Sequence, residues 1–446
     1  MSTTSVAQPN QHFYDSPFLE IRRKMDLLLL LGQLLMENGA NTNQILRDMM
    51  RAASYMGIPT EYIHIHISYT TLMLNINDGE RSYTIFRKTL RHGVNMTTLS
   101  VLSKLTWKAL DNNYSLDEFE SRLTTISHTP PRYPQLLSMA GAGFACGAFA
   151  ILFGSNILTA WITTFCAMFG FYVRNLCRHY QMNIYFCITF ASLCATLPAL
   201  LISSIFPNDT MLYAGISAAL FMIPGVPLIN AVDDMINNHI VSGITRAIHT
   251  VLTVSSMAAG IAMALYFDKT STFTQLSITP QSLYPLQIGG AIVGAVGFSI
   301  IFNIPKRLLP LVAVGGAISV FIRNSLIVLA GFSPVGASFF AAAVISIIAM
   351  RAAKTFRTAP LVLAIPSVIP MIPGVLLYRF LFGILTINTL TADNFMFVLR
   401  SGITGILIIV CLAVGVSIPH ILASGYLDKA KERRLQQLLD RREKAA

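Results

Sequence analysis

The 446-residue chain is 54% hydrophobic and only 12% charged, with a mean hydropathy of +0.59. An ordinary soluble domain is about 25% charged, so these values exclude a conventional globular protein along the whole length. The net charge of +11 sits largely in short loops between apolar runs and in the tail 429–444, and no basic face with interleaved aromatics points to nucleic acid.

Residues 1–17 are polar and read as a disordered tail. They lack the apolar core of a signal peptide, so the N-terminus is expected to stay cytoplasmic. Residues 18–130 carry frequent, balanced charges and read as a small cytoplasmic α/β domain. Helical spacing covers 25–36 and 42–56, with Asn38-Gly39 as a C-cap signal between them. Alternating β-branched residues predict strands over 61–75 and 81–86, with Asn77-Asp78-Gly79 as the turn. Helical spacing returns over 97–110 and 116–126, and His128-Thr129-Pro130-Pro131-Arg132-Tyr133-Pro134 marks the domain boundary. His64 and His66 share one strand face, but no further ligands at suitable spacing accompany them, and His239 and His249 likewise suggest no metal.

Beyond the boundary, ten apolar runs are long enough to cross about 30 Å of hydrocarbon. They lie near 136–154, 156–174, 183–206, 210–228, 247–267, 284–303, 307–322, 333–350, 360–383 and 396–419. The inner loops then become 175–182, 229–246, 304–306 and 351–359, carrying Arg178, Arg246, Lys306, Arg351, Lys354 and Arg357. The outer loops 207–209, 268–283 and 384–395 hold only Lys269, which follows the positive-inside rule. Arg174, Arg323 and Arg400 read as interface anchors. Residues 427–446 form a basic cytoplasmic tail. All six cysteines fall within or beside apolar segments, without a CxxC pair.

The apolar part repeats itself. Gly141-Ala142 recurs as Gly290-Ala291, Arg174-Asn175 as Arg323-Asn324, and Met222-Ile223-Pro224-Gly225-Val226 as Met371-Ile372-Pro373-Gly374-Val375. Each pair is offset by 149 residues (290 − 141, 371 − 222). Two five-helix repeats follow, 135–268 and 284–420. An odd number of crossings in each makes the second enter the membrane upside down. The fold class is therefore an α-helical polytopic membrane protein with two inverted repeats. Inverted repeats with Gly/Pro-interrupted helices at matching positions are the pattern of secondary transporters.

The candidate substrate site comprises Pro224, Gly225, Asn230, Pro373, Gly374, Tyr378 and Arg379. Pro removes a backbone donor and Gly permits close approach, so the breaks would free carbonyls and amides near mid-membrane. Arg379 suits a two-point grip on a carboxylate. Asp233 and Asp234, adjacent carboxylates at membrane depth, would couple protons. No Walker sequence occurs, so an ion gradient is the expected drive. No cofactor or nucleophile–base constellation stands out.

The segment Leu35-Met36-Glu37-Asn38-Gly39-Ala40-Asn41-Thr42, the run Arg91-His92-Gly93-Val94-Asn95 and the stretch 224–246 resemble the threonine/serine exporter family. The region 286–419, with its Ile-Pro-Gly and Tyr378-Arg379, is similar to that family's second membrane module. The fused form implies a ten-helix, proton-driven exporter of threonine and serine in a bacterial inner membrane. The split form is linked to dicarboxylates such as succinate, which stays the alternative. The chain departs from the family pattern at Asn41, often acidic there, and at Asp233, basic in some members. A membrane-anchored enzyme with its site in 18–130 is a further alternative. The expected partners are a small-molecule substrate, a proton and the lipid bilayer, with self-association left open.

Overall fold

The computed structural model describes residues 16–77, 81–89, 92–205, 211–268, 284–356 and 358–443. Asp78-Gly79 of the expected turn, Arg91, Lys269 and Arg357 lie outside the described residues. Internal contacts divide the chain into one unit of residues 1–92, 101–129 and 434–446 and a second of residues 93–100 and 130–433.

In the first unit, α1 (Ser16–Glu37) and α2 (Thr42–Tyr55) are joined by the Asn38-Gly39 turn. Gly39 takes φ +91°, where a side chain is strained, and Ala40 N–H closes onto the Leu35 carbonyl at 3.0 Å. Asn41 caps α2 by accepting from Gln44 N–H at 2.9 Å, a role its short amide fills as well as an acid does. Three antiparallel strands follow in the order β1 (Ile63–Ile67), β2 (Thr71–Asn77) and β3 (Ser82–Lys88). The single strand expected over 61–75 is thus two. Ser68-Tyr69-Thr70 turns the chain back, and Ser68 N–H bonds the Thr71 carbonyl at 2.9 Å. Polar Ser and Thr flanking one aromatic continue the alternation of the sequence, which conceals the hairpin. His64 and His66 lie exposed on one face of β1. Helix α3 (Met96–Asp111) belongs to this unit from Val101 onward, and α4 (Leu116–His128) starts at a Ser115 cap. Leu28, Leu31, Leu35, Met49, Leu72 and Phe119 form the core. Each such side chain contributes about 1.5–3 kcal/mol on burial.

The second unit is almost wholly helical. Its elements are α5 (Gln135–Leu152), α6 (Ile157–His179), α7 (Ile184–Ile205), α8 (Met211–Ala218), α9 (Gly225–Ile236) and α10 (Ile240–Asp268). There follow α11 (Tyr284–Ile301), α12 (Leu309–Val328), α13 (Pro334–Phe356), α14 (Pro360–Val368), α15 (Gly374–Leu385) and α16 (Ala392–Glu443), the last belonging to this unit as far as Arg433. The 149-residue offset persists in space. It carries both bounds of α5 onto α11 and both bounds of α9 onto α15 (284 − 135, 374 − 225). It also carries the 3₁₀ turn Leu220–Met222 onto Ile369–Met371. Gly154 and Asn303, its equivalent, are both left-handed at the ends of α5 and α11, with φ +94° and +55°.

Among the described residues, seven helices are long and apolar enough to cross a membrane, or up to nine if each bent pair is one span, and residues Pro285–Ile301 form a shorter apolar helix. Their packing reverses that of a soluble protein. Leu158, Trp161, Phe165, Phe169, Tyr172 and Leu176 make an exposed stripe along α6, whereas α5 buries Gly141, Ala142, Ala145, Cys146 and Ala148. Large apolar groups outward and small ones inward is what a lipid solvent selects, since lipid tails are as apolar as leucine.

Small residues let α5 and α11 touch backbone to backbone. A Cβ on Gly141 would stand 3.1 Å from the Gly297 carbonyl, and one on Gly290 would stand 3.2 Å from the Ala148 carbonyl. These contacts are reciprocal under the offset, since 141 and 148 correspond to 290 and 297, and they run in opposite order along the two helices. Phe149 meets its own equivalent, Phe298, edge to face with centroids 5.7 Å apart. Residues 93–100 belong with this unit too. Asn303 donates to the Asn95 side chain at 2.7 Å and accepts from Arg132 N–H at 2.8 Å, fastening the end of α11.

Candidate functional site

Both Ile-Pro-Gly sequences break a helix in the same way. Pro224 has φ −79°, ψ 59° and Pro373 has φ −82°, ψ 57°, and the flanking segments bend by 59° in each case. That backbone is an inverse γ-turn: Gly225 N–H bonds the Ile223 carbonyl at 2.8 Å, and Gly374 N–H bonds the Ile372 carbonyl at 2.9 Å. The expectation of freed amides therefore fails at the two glycines, whose donors are closed locally.

The breaks face each other. A Cβ on Gly225 would meet Ile372 Cδ1 at 2.8 Å, and one on Gly374 would meet Ile223 Cδ1. This pair of contacts is again reciprocal, because 223 and 225 correspond to 372 and 374. Each glycine is the seat of the opposite repeat's isoleucine, a second reason for glycine there.

Residues 229–236, expected as an inner loop, continue α9, and α10 begins at Ile240. Proline punctuates α9 at Pro227, a first-turn position where its missing N–H costs little, so the helix runs on past it. The helical continuation buries Asn230, Asp233 and Asp234 at 2%, 7% and 1% exposure. Asp234 forms an ion pair with Arg246 of α10 at 2.9 Å, with both side chains buried. Asp233 accepts from the Ser417 hydroxyl of α16, tying the first repeat to the last helix of the second.

At the position equivalent to Asn230 stands Arg379 (379 − 230 is again the offset), 4% exposed. It donates to Ser401 Oγ at 3.3 Å and lies 4.7 Å from the Phe397 ring centroid. Tyr378 beside it is fully buried and stacked on Phe382. Arg379 is thus buried inside the helical unit. Among the described residues, the buried Asp, Glu, Lys, Arg and His side chains of this unit are Asp233, Asp234, Arg246 and Arg379. Arg174, read as an anchor, packs over Phe171 at 4.4 Å and lies 5.3 Å from Phe221 in the first break. Arg323 leans on Asn324 Oδ1 at 3.2 Å.

Sequence reasoning missed Arg246, which it assigned to a loop, and Ser401, Phe397 and Ser417. The signal for Arg246 was available: the Asn237-Asn238-His239 turn folds α10 back on α9, and Asn238 takes φ +65° there.

Sequence profiles of the threonine/serine exporter, ThrE, match residues 26–268 and, for the second module, 287–422. The chain belongs to the threonine/serine exporter family. The "Probable succinate transporter subunit YjjP" of Klebsiella aerogenes is 30% identical over 235 residues, covering 52% of this chain and 88% of that protein. The "Probable threonine/serine exporter" of Mycobacterium tuberculosis is 22% identical, covering 82% of this chain and 70% of the relative. The "Threonine/serine exporter" of Corynebacterium glutamicum is 23% identical, covering 82% and 76%. No solved structure matches.

Proposed function

We propose that this chain is a secondary active exporter of small hydroxy-amino acids, threonine and serine, exchanging substrate for protons across a bacterial cytoplasmic membrane. In this reading the seven long helices, the two bent spans and α11 make ten crossings. They form two inverted five-helix repeats, with both termini cytoplasmic. The observation that carries the reading is the reciprocal seating of the two breaks on each other. Such contacts, with the opposite running of α5 and α11, support an inverted two-fold relation of the kind alternating-access transporters use.

Within that frame, Arg379 grips the substrate carboxylate and Asp233 takes the proton, or the ammonium group while it is ionised. The ion pair with Arg246 commits Asp234 to structure. Pro224, Gly225, Pro373 and Gly374 shape the wall, and Asn230 and Tyr378 supply polar contacts. Asp233, Asp234, Arg246 and Arg379 together carry no net charge, which suits a zwitterion better than a dianion. The dicarboxylate reading rests on the 30% identity to a named succinate transporter subunit, confined to about half of this chain. It requires a further cation at the cavity.

The test is uptake into inside-out vesicles holding the full chain. Serine and threonine should enter, faster when the lumen is made acidic, and succinate should not compete. Succinate uptake without serine uptake selects the dicarboxylate reading. Flux indifferent to the pH gradient points to a channel, and no flux of either solute removes the proposal.

A further inference from the structure

We infer that the outer face of α16 around Arg400 is a binding site for a phospholipid with a net negative headgroup. Arg400 is exposed and lies eight residues into α16, about 12 Å along a helix that rises 1.5 Å per residue. It occupies a groove of about 530 Å³ lined by Met396, Phe397, Leu399, Arg400, Ile403 and Thr404. Among the described residues no carboxylate pairs with it.

The repeat shows what this face contacts. Arg400 corresponds to Val251 of α10, which lies exposed among Ile244, Ile248 and Leu252. The large exposed side chains of that first-half surface are apolar, as a helix against lipid tails requires. The same face in the second half carries one arginine. A charge facing hydrocarbon costs several kcal/mol unless it finds an anion or reaches the headgroups.

A glycerophospholipid answers both halves of the groove. Its phosphate accepts two parallel N–H bonds from the planar guanidinium, the geometry arginine favours with phosphate. The Thr404 hydroxyl, one helical turn along, is placed to add a donor. Met396, Phe397, Leu399 and Ile403 receive the acyl chain. The net negative headgroup matters because a zwitterionic one carries its own cation to the same phosphate. Phe397 also covers the Arg379 guanidinium, so an occupied groove touches the aromatic wall of the candidate site. The inference rests on the membrane-embedded helix alone, not on the export reading.

Native mass spectrometry of the full chain in mild detergent tests it, with phosphatidylglycerol and phosphatidylcholine supplied together. Phosphatidylglycerol should be retained preferentially. R400Q should weaken retention by about tenfold, the scale of one lost charge-assisted pair. R400K should restore part of it. R178Q, which removes the same charge from another exposed position, should bind as the wild type does. Equal retention by R400Q, or equal retention of both lipids by the wild type, overturns the inference. So does a cross-linked dimer that R400Q dissolves without any lipid preference, because a second copy of the chain would then be the occupant.

Discussion

Removing the carboxylate of Asp234 separates a structural acid from a functional one. Asp234 and Arg246 stand 2.9 Å apart with 1% and 3% side-chain exposure. At an effective dielectric constant of about 20, two unit charges at that distance attract by about 6 kcal/mol, much of it offset by desolvation. Asp234→Asn leaves Arg246 buried without that charge and is expected to cost about 3–5 kcal/mol of stability. Arg246→Gln should cost a similar amount. The double variant, neutral at both positions, should be within about 2 kcal/mol of the wild type, because the pair's attraction and its desolvation cost disappear together. Equilibrium unfolding in mixed micelles, run on the four proteins as a cycle, gives the coupling directly. If the two single losses simply add in the double variant, or if D234N is as stable as the wild type, the ion pair does not hold α9 to α10 and Asp234 returns to the list of proton carriers.

Asp233→Asn is expected to abolish the dependence of serine flux on the pH gradient while leaving serine binding measurable by calorimetry; intact proton dependence would move the coupling elsewhere. Arg379→Lys keeps the charge but loses the two-point fork, so the KM for serine should rise about tenfold with little change in kcat. Gly297→Ala drives a Cβ to 2.5 Å from the Gly141 carbonyl and 3.0 Å from Ala145 N, backbone that cannot step aside, and should cost about 1–3 kcal/mol. Gly289→Ala in the same helix meets nothing within 4 Å and should be silent when both variants are compared by equilibrium unfolding in mixed micelles. In the first unit, burial holds the Asp48 carboxyl above its ordinary range despite the nearby Arg51, Arg47 and Ser103. A carboxyl raised in the folded state stabilises fully below its unfolded pKa and loses that contribution as pH climbs through the raised value. Urea unfolding of full-length W161F protein, read from the fluorescence of Trp107 stacked 4.0 Å from Arg51, should show stability falling in that window, and D48N should flatten the slope.

Long-range order was the most legible part of the sequence, because duplicated residues at one fixed spacing need no knowledge of packing. The Pro-Gly breaks were readable for the same reason: proline and glycine limit the backbone directly. Loops were misread where a polar run was taken to mean water. Asn230, Asp233 and Asp234 are polar yet helical and buried, and the partners of the two acids, Ser417 of α16 for Asp233 and Arg246 of α10 for Asp234, lie on other helices. Ser417 and Ser401 carried no local signal, since a serine in an apolar helix is common and only the fold brings it to a charged neighbour. The β1–β2 hairpin escaped because Ser68 and Thr70 keep the two-residue alternation through the turn.

The crossed seating of Gly225 under Ile372 and Gly374 under Ile223 also has a mechanical meaning. In the proposed transporter, a kink that straightened or swung would push on the isoleucine lodged in the other, so the two would move like a seesaw on a shared pivot. A seesaw cannot lower both ends together. In the proposed exporter, such a coupling would open a path to one compartment only by closing the path to the other, and so would keep solute from leaking down its own gradient.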